Sequence, residues 1–352
     1  MAERQATVDR ELLRRLPKAE LHCHLDGSVR PATLLELARE YGVAMPRRGA
    51  TALRDFMRAS NVQSLEQYLQ RFEVTLSVMQ TADALERIAY ELGADAAADG
   101  VRYIEVRYAP VLNTRAGLQL GEVVEAGLRG LGRAERDYGT VGRVILCALR
   151  HHDPEVSLEI ARLGVAYQER GVVGFDLAGG EASHPAAPHA RAFEYAHGEG
   201  LLCTCHAGEG AGADSVREAL HVCKANRLGH ATRMFEDESI TEYVAEQRVP
   251  LEICLTSNVQ TGAARSYETH PFRQYFDLGL KVVLNTDNRL MSDTTLTDEY
   301  ALAATRLDFT FDELATVALN GFETAFLPAA EKAVLVERAR AEIAALLDSQ
   351  AR

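Results

Sequence analysis

The tetrapeptide His206-Ala207-Gly208-Glu209 holds two side chains that can divide the work of metal-assisted hydrolysis. It follows a compact apolar run, residues 201–205, that reads as a buried strand. Small residues then break the strand, and a helix-like segment starts near Asp214. A histidine therefore sits where a strand ends, and a carboxylate follows three residues on. A strand end holds a metal ligand rigidly, and the turn beyond it can swing a carboxylate over the ion without binding it. Hydrolysis at a metal needs that division: one group holds the ion and another moves protons.

Other strand ends carry groups of the same kind. Residues 18–24 read as a first strand, and its end offers His22 and His24 at i and i+2, which on a strand share one face. Cys23, between them, points the other way. Residues 227–230 form a very short strand ending in His230. Residues 281–285 form a strand that runs into Thr286-Asp287-Asn288. Residues 172–177 end in Ala178-Gly179-Gly180.

The elements that position these groups alternate along the chain. Further strands are expected at 101–108, 141–149 and 249–255. Helices are expected at 81–99, 122–138, 154–170, 188–199, 214–226 and 237–247, with more helix from 296 onward. About eight strands, each followed by helix, imply parallel pairing. The fold class is α/β: a (β/α)8 TIM barrel with extra helices after the first strand and at the C-terminus. One domain is expected over residues 1–352, with a helical insertion at about 44–80 acting as a lid. No GxGxxG follows the first strand, which weakens a dinucleotide-binding reading. In such a barrel the strand C-termini meet at one face, and that face carries the active site.

On that rim stand His22, His24, His206, His230, Glu209 and Asp287. Three imidazoles and one carboxylate suit Zn²⁺ better than Mg²⁺ or Ca²⁺, which prefer mostly oxygen. A catalytic zinc keeps one position for water and lowers that water's pKa to ~7. The remaining histidine and glutamate are then proton handlers.

Composition removes several other readings. A net charge of -13 argues against a nucleic-acid surface. No apolar run approaches the ~18 residues of a membrane span, and residues 1–11 lack the apolar core of a signal peptide. A cytoplasmic protein is expected. The 6 cysteines sit mostly in apolar, strand-like runs and read as buried free thiols.

The motifs His22-Cys23-His24-Leu25-Asp26-Gly27, Asp176-Leu177-Ala178-Gly179, His206-Ala207-Gly208-Glu209, Leu228-Gly229-His230, Thr256-Ser257-Asn258 and Asn285-Thr286-Asp287 come in an order and context that together resemble the adenosine deaminase family, within the amidohydrolase superfamily. The likeness runs over nearly the whole length. It implies one zinc ion per chain, bound by His22, His24, His206 and Asp287. It implies that Glu209 protonates purine N1 as hydroxide attacks C6, and that His230 orients that hydroxide. Gly179 would offer its backbone N–H to N3, and Asp26 would accept from the ribose 5′-hydroxyl. The expected partner is a small aminopurine nucleoside. The PCxxC ligands of cytidine-type deaminases are missing.

Three departures from the family pattern line the pocket. Asp287 is followed by Asn288 where a second aspartate is common. Gly179 is followed by Gly180 rather than Asp, and His230 by Ala231 rather than Gly. They bear on substrate identity more than on chemistry, and Asn288 is the candidate partner for purine N7. The leading expectation is deamination of adenosine and 2′-deoxyadenosine in purine salvage. The alternative is a sister enzyme acting on adenine or on a 5′-modified nucleoside such as aminodeoxyfutalosine. Relatives acting on free adenine tend to carry Glu at the Asp26 position, so Asp favours a nucleoside. A metal-dependent amide or ester hydrolase on the same barrel is a further alternative.

Overall fold

The structure, a computed structural model, describes residues 8–58 and 65–350. Eight parallel strands run β1 Lys18–His24, β2 Val101–Tyr108, β3 Val141–Leu149, β4 Val172–Ala178, β5 Leu202–Ala207, β6 Arg227–His230, β7 Leu251–Ile253 and β8 Val282–Leu284. Each pairs with the next in sequence order. Helices connect them, as right-handed crossovers of a parallel sheet require. Among these are Ala82–Ala98, capped by the Thr81 hydroxyl, and Pro154–Ala166, started by Pro154 behind the Asp153 cap. The expected (β/α)8 barrel is what the chain forms.

The barrel closes at β1 and β8 by an unusual seam. β8 is only 3 residues long, too short for a full ladder. One bridge joins Cys23 to Asp287. His24 N–H donates to Asp287 C=O at 2.7 Å, and Asp287 N–H donates to His22 C=O at 3.0 Å. The Asn285 side-chain oxygen supplies the remaining acceptor, taking the N–H groups of Leu21 (2.7 Å) and His22 (3.1 Å). A side-chain amide thus stands in for missing strand.

Buried ions fill the barrel interior. Arg107 of β2 donates to Asp176 of β4 (3.0 Å) and to Glu252 of β7 (2.8 Å). Arg227 of β6 pairs with Glu252 (2.7 Å) and with Glu105 of β2. β2 and β7 are not neighbours in the sheet, so these side chains meet through the barrel's centre. All five are buried, and each charge has an opposite partner, as burial demands.

Expected and observed elements differ at several bounds, and three regions bear on the site. β5 runs on to Ala207, so His206 lies inside the strand rather than beyond it. β7 stops at Ile253, and Leu255–Gln260 is a helix, which places Thr256-Ser257-Asn258 on a helical turn. An apolar run cannot by itself distinguish a buried strand from a buried helix. Within 44–80 there are three helices, Ala50–Met57, Leu65–Leu69 and Phe72–Leu76, while 59–64 lies outside the described residues. Among the described residues, no helix is long and apolar enough to cross a membrane.

Candidate active site

His22 and His24 end β1, His206 lies near the end of β5, and His230 ends β6. Asp287 follows β8. Its backbone is left-handed (φ 60°), as are those of His230 (φ 64°) and Ala231 (φ 53°). Left-handed backbone at such residues costs ~1–2 kcal/mol each and aims the side chain inward. The Gly-to-Ala departure at Ala231 thus falls where glycine would be relaxed.

These strand ends bring the ligand atoms together. Those of His22, His206, His230 and Asp287 lie within 4.8 Å of one another and could hold a metal ion. His24 stands at the edge of that group, with Nε2 3.2 Å from His206 Nε2 and 3.3 Å from Asp287 Oδ1. Five ligand-type side chains therefore converge where the sequence expectation has a four-residue set containing His24 rather than His230.

Outer partners orient the rings. His22 Nδ1 donates to Glu252 at 2.9 Å, and His206 Nδ1 donates to Asp176 at 3.1 Å. Each ring then turns Nε2 toward the cluster, that of His22 lying 3.4 Å from Asp287 Oδ1, the arrangement metal-binding imidazoles use. His22 Nε2 is buried with no hydrogen-bond partner. Burial alone would raise the Glu252 carboxyl, but Arg107 and Arg227 outweigh it and hold it well below the usual range. Asp176 is likewise depressed, by His206 and Arg107 against its burial. Ser257 donates to Asp287 Oδ2 at 2.6 Å. Burial pushes His24 and His206 below the ordinary imidazole range, which leaves them unprotonated, as metal binding requires.

Glu209 faces the same cluster, its Oε2 3.5 Å from His230 Nε2. The turn that carries it is held by a residue outside the sequence-derived set. Glu181 accepts the backbone N–H groups of Gly208, Glu209 and Gly210. Glu252 and Arg107 were also outside that set. A charge within an apolar strand run, as Glu252 is within 249–255, was the available signal, because such a charge must find a buried partner.

A pocket opens over the cluster. Asp26, Gly179 and Asn288 line it, and Tyr68 and Phe72 cover it from the helices after β1. Asp26 Oδ1 is buried without a hydrogen-bond partner, and burial pushes its carboxyl up to about 7. Gly179 adopts φ +99°, a backbone only glycine holds without strain. Asn288 packs so closely on Gly27 that a Cβ there would lie 1.7 Å from Asn288 Oδ1. Among the described residues lining the pocket there is no Lys or Arg, and Glu73 at its edge pairs with Arg115 (2.8 Å).

Known proteins are similar to this chain over most of its length. An adenosine deaminase from Mycobacteroides abscessus is 43% identical over 94% of this chain and 96% of its own. Adenosine deaminase 1 of Streptomyces coelicolor is 44% identical over 94% and 87%. Among solved structures, an amidohydrolase from Burkholderia ambifaria with bound zinc superposes with a TM-score of 0.88 at 28% identity, covering 99% of this chain and 96% of that one. An adenine deaminase from Arthrobacter aurescens gives 0.87 at 28%, over 94% and 99%. An Arabidopsis N6-mAMP deaminase gives 0.83 at 28%, over 94% and 99%. The Adenosine deaminase family profile matches residues 17–342, from the start of β1 into the last helix, and on that match the chain belongs to the adenosine deaminase family of hydrolytic deaminases.

Proposed function

We propose that this protein hydrolyses adenosine and 2′-deoxyadenosine to the corresponding inosines and ammonia, with one zinc ion per chain, as a step of purine salvage. The observation that carries the reading is the Glu209–His230 pair set against a His/Asp cluster inside a pocket whose described lining has no Lys or Arg. His22, His24, His206 and Asp287 would hold the metal. The buried Nε2 of His22, which makes no hydrogen bond and lies 3.4 Å from Asp287 Oδ1, fits that role. The bound ion would acidify water enough to supply a nucleophile at neutral pH.

The chain's own residues do the rest. Glu209 takes a proton from the incoming water and delivers it to purine N1. Protonation there draws electron density from C6, where the oxygen adds and from which ammonia leaves. A positioned acid–base group of this kind contributes about 10²–10⁴ in rate. His230 lies beside Glu209 and holds the water's oxygen in line. Gly179 offers its N–H to N3. Asp26, a buried carboxyl lacking a partner on one oxygen, takes the ribose 5′-hydroxyl. The helices over the pocket, through Tyr68 and Phe72, keep bulk water out.

The absence of lysine and arginine from the described lining favours an uncharged 5′ end over a phosphate. The test is a panel of adenosine, 2′-deoxyadenosine, adenine, AMP, S-adenosylhomocysteine and aminodeoxyfutalosine, followed by ultraviolet absorbance. Adenosine and deoxyadenosine should give the highest kcat/KM, with AMP at least 100-fold lower. A preference for adenine, AMP or a 5′-extended nucleoside would replace the substrate assignment.

A further inference from the structure

The ring of His230 lies at the end of a buried chain of hydrogen bonds that begins at a peptide group. Phe272 N–H donates to His270 Nδ1 at 3.1 Å. A peptide N–H can only donate, so that nitrogen accepts and the proton of the neutral His270 ring sits on Nε2. Burial keeps the ring neutral by pushing His270 down to about 3. His270 Nε2 faces Asn258 Oδ1 at 3.1 Å, and the Thr232 hydroxyl donates to the same oxygen at 2.8 Å. Two donors thus fix which end of the Asn258 amide is oxygen. The other end, Nδ2, faces His230 Nδ1 at 3.0 Å and donates to it. A ring that accepts at Nδ1 is neutral and carries its proton on Nε2, the nitrogen facing Glu209.

We propose that Asn258 and His270 are positioning residues that set the tautomer of His230, so that its Nε2–H is always presented as a donor to the reacting oxygen. This rests on the deaminase reading above. It also separates His230 from the other rings. His22 and His206 give Nδ1–H to carboxylates, so in the neutral ring Nε2 carries no proton, whereas His230 receives an amide N–H at Nδ1 and carries its proton on Nε2, with no lone pair there to hold a metal. One strand-end motif therefore yields two functions, decided by whether the outer partner is a carboxylate or an amide. Tyr275 supports the geometry from the same segment as Phe272, donating to Ala231 C=O at 3.1 Å.

The experiment combines ring ¹⁵N NMR of histidine-labelled holoenzyme with kinetics and zinc content. In the parent protein, His230, assigned through His230→Ala, should show an unprotonated Nδ1 and a protonated Nε2. Asn258→Asp places an acceptor against Nδ1. It should move the proton there and lower kcat at least 100-fold, with KM changed less than threefold and zinc retained. A wrong tautomer in a serine-protease triad costs about 10⁴. Should Asn258→Asp fail to fold, His270 gives an independent pair. His270→Phe frees the amide to turn over and should lower kcat several-fold, and His270→Gln, which can still donate to Asn258, should recover most of it. A protonated Nδ1 in the parent protein, or unchanged kcat in both Asn258→Asp and His270→Phe, overturns the inference. An unchanged kcat in His230→Ala instead overturns the underlying reading, whatever the tautomer proves to be.

Discussion

The Glu181 carboxylate holds Glu209 by its main chain. It accepts the N–H of Glu209 at 2.9 Å and those of the flanking Gly208 and Gly210 at 2.7 and 2.6 Å. Three charge-assisted hydrogen bonds on one buried carboxylate fix the turn as a rigid unit. The point from which the Glu209 side chain reaches His230 is thereby set. Glu181→Gln offers one oxygen where the turn requires two acceptors. It should lower kcat about 10-fold or more while leaving zinc in place, read by steady-state kinetics and metal analysis.

Glu209→Gln should keep zinc and bind substrate while kcat falls by at least the 10²–10⁴ typical of a lost acid–base group. Inhibitor titration and single-turnover kinetics check the two halves. Near-normal turnover would remove Glu209 from the proton path.

His206→Ala should lose most of its zinc, because the ring is one of the four proposed ligands and Asp176 fixes it in place. Metal analysis after dialysis reads the result. A full equivalent of zinc in this variant would take His206 out of the ligand set.

Asn288 sits at the N-cap of a short helix but makes no side-chain capping bond, so capping does not account for it. If its amide donates to purine N7, a 7-deaza analogue leaves that donor unsatisfied at a cost of ~1–3 kcal/mol. The parent should then prefer adenosine over 7-deazaadenosine by roughly 5- to 100-fold in kcat/KM, and Asn288→Ala should flatten that preference. An unchanged ratio would assign N7 to another group.

Asp26→Ala should harm adenosine more than free adenine. Its unpartnered Oδ1 faces the pocket, and only the nucleoside brings a hydroxyl to it. Comparing the two losses in kcat/KM is sufficient, and equal losses would mean that Asp26 does not read the ribose.

Much of this was legible in the residues. β1, β2, β3 and β6 begin and end where alternation and turn residues place them. The rim histidines, Glu209 and Asp287 converge because parallel strands bring their C-termini to one face. The interior was less legible. Glu105, Arg107, Arg227 and Glu252 sit on strands that do not adjoin one another throughout, so their pairing depends on barrel closure and on no local spacing. The helix Leu255–Gln260 was missed for a related reason. Cys254 and Leu255 prolong an apolar run, and the turn into helix is supported by a distant carboxylate: Glu299 accepts the Thr256 N–H at 3.1 Å. That helix carries Ser257 and Asn258, so the motif was visible in the residues while its placement behind the rim was not.

The seam between β1 and β8 sets when the site can come into being. His22 and Asn285 are 263 positions apart, yet Asn285 takes the His22 N–H, and the backbones of His22, His24 and Asp287 bond to one another. Closing so long a loop costs entropy before the contacts it makes can reward it, although that cost grows only slowly with length. The candidate metal cluster lies on that closure. A ribosome-bound chain short of residue 287 holds the histidines without the aspartate that joins them. Metal capture would therefore be a late event in the life of the polypeptide, and an ion held there would act as a clasp between its first strand and its last.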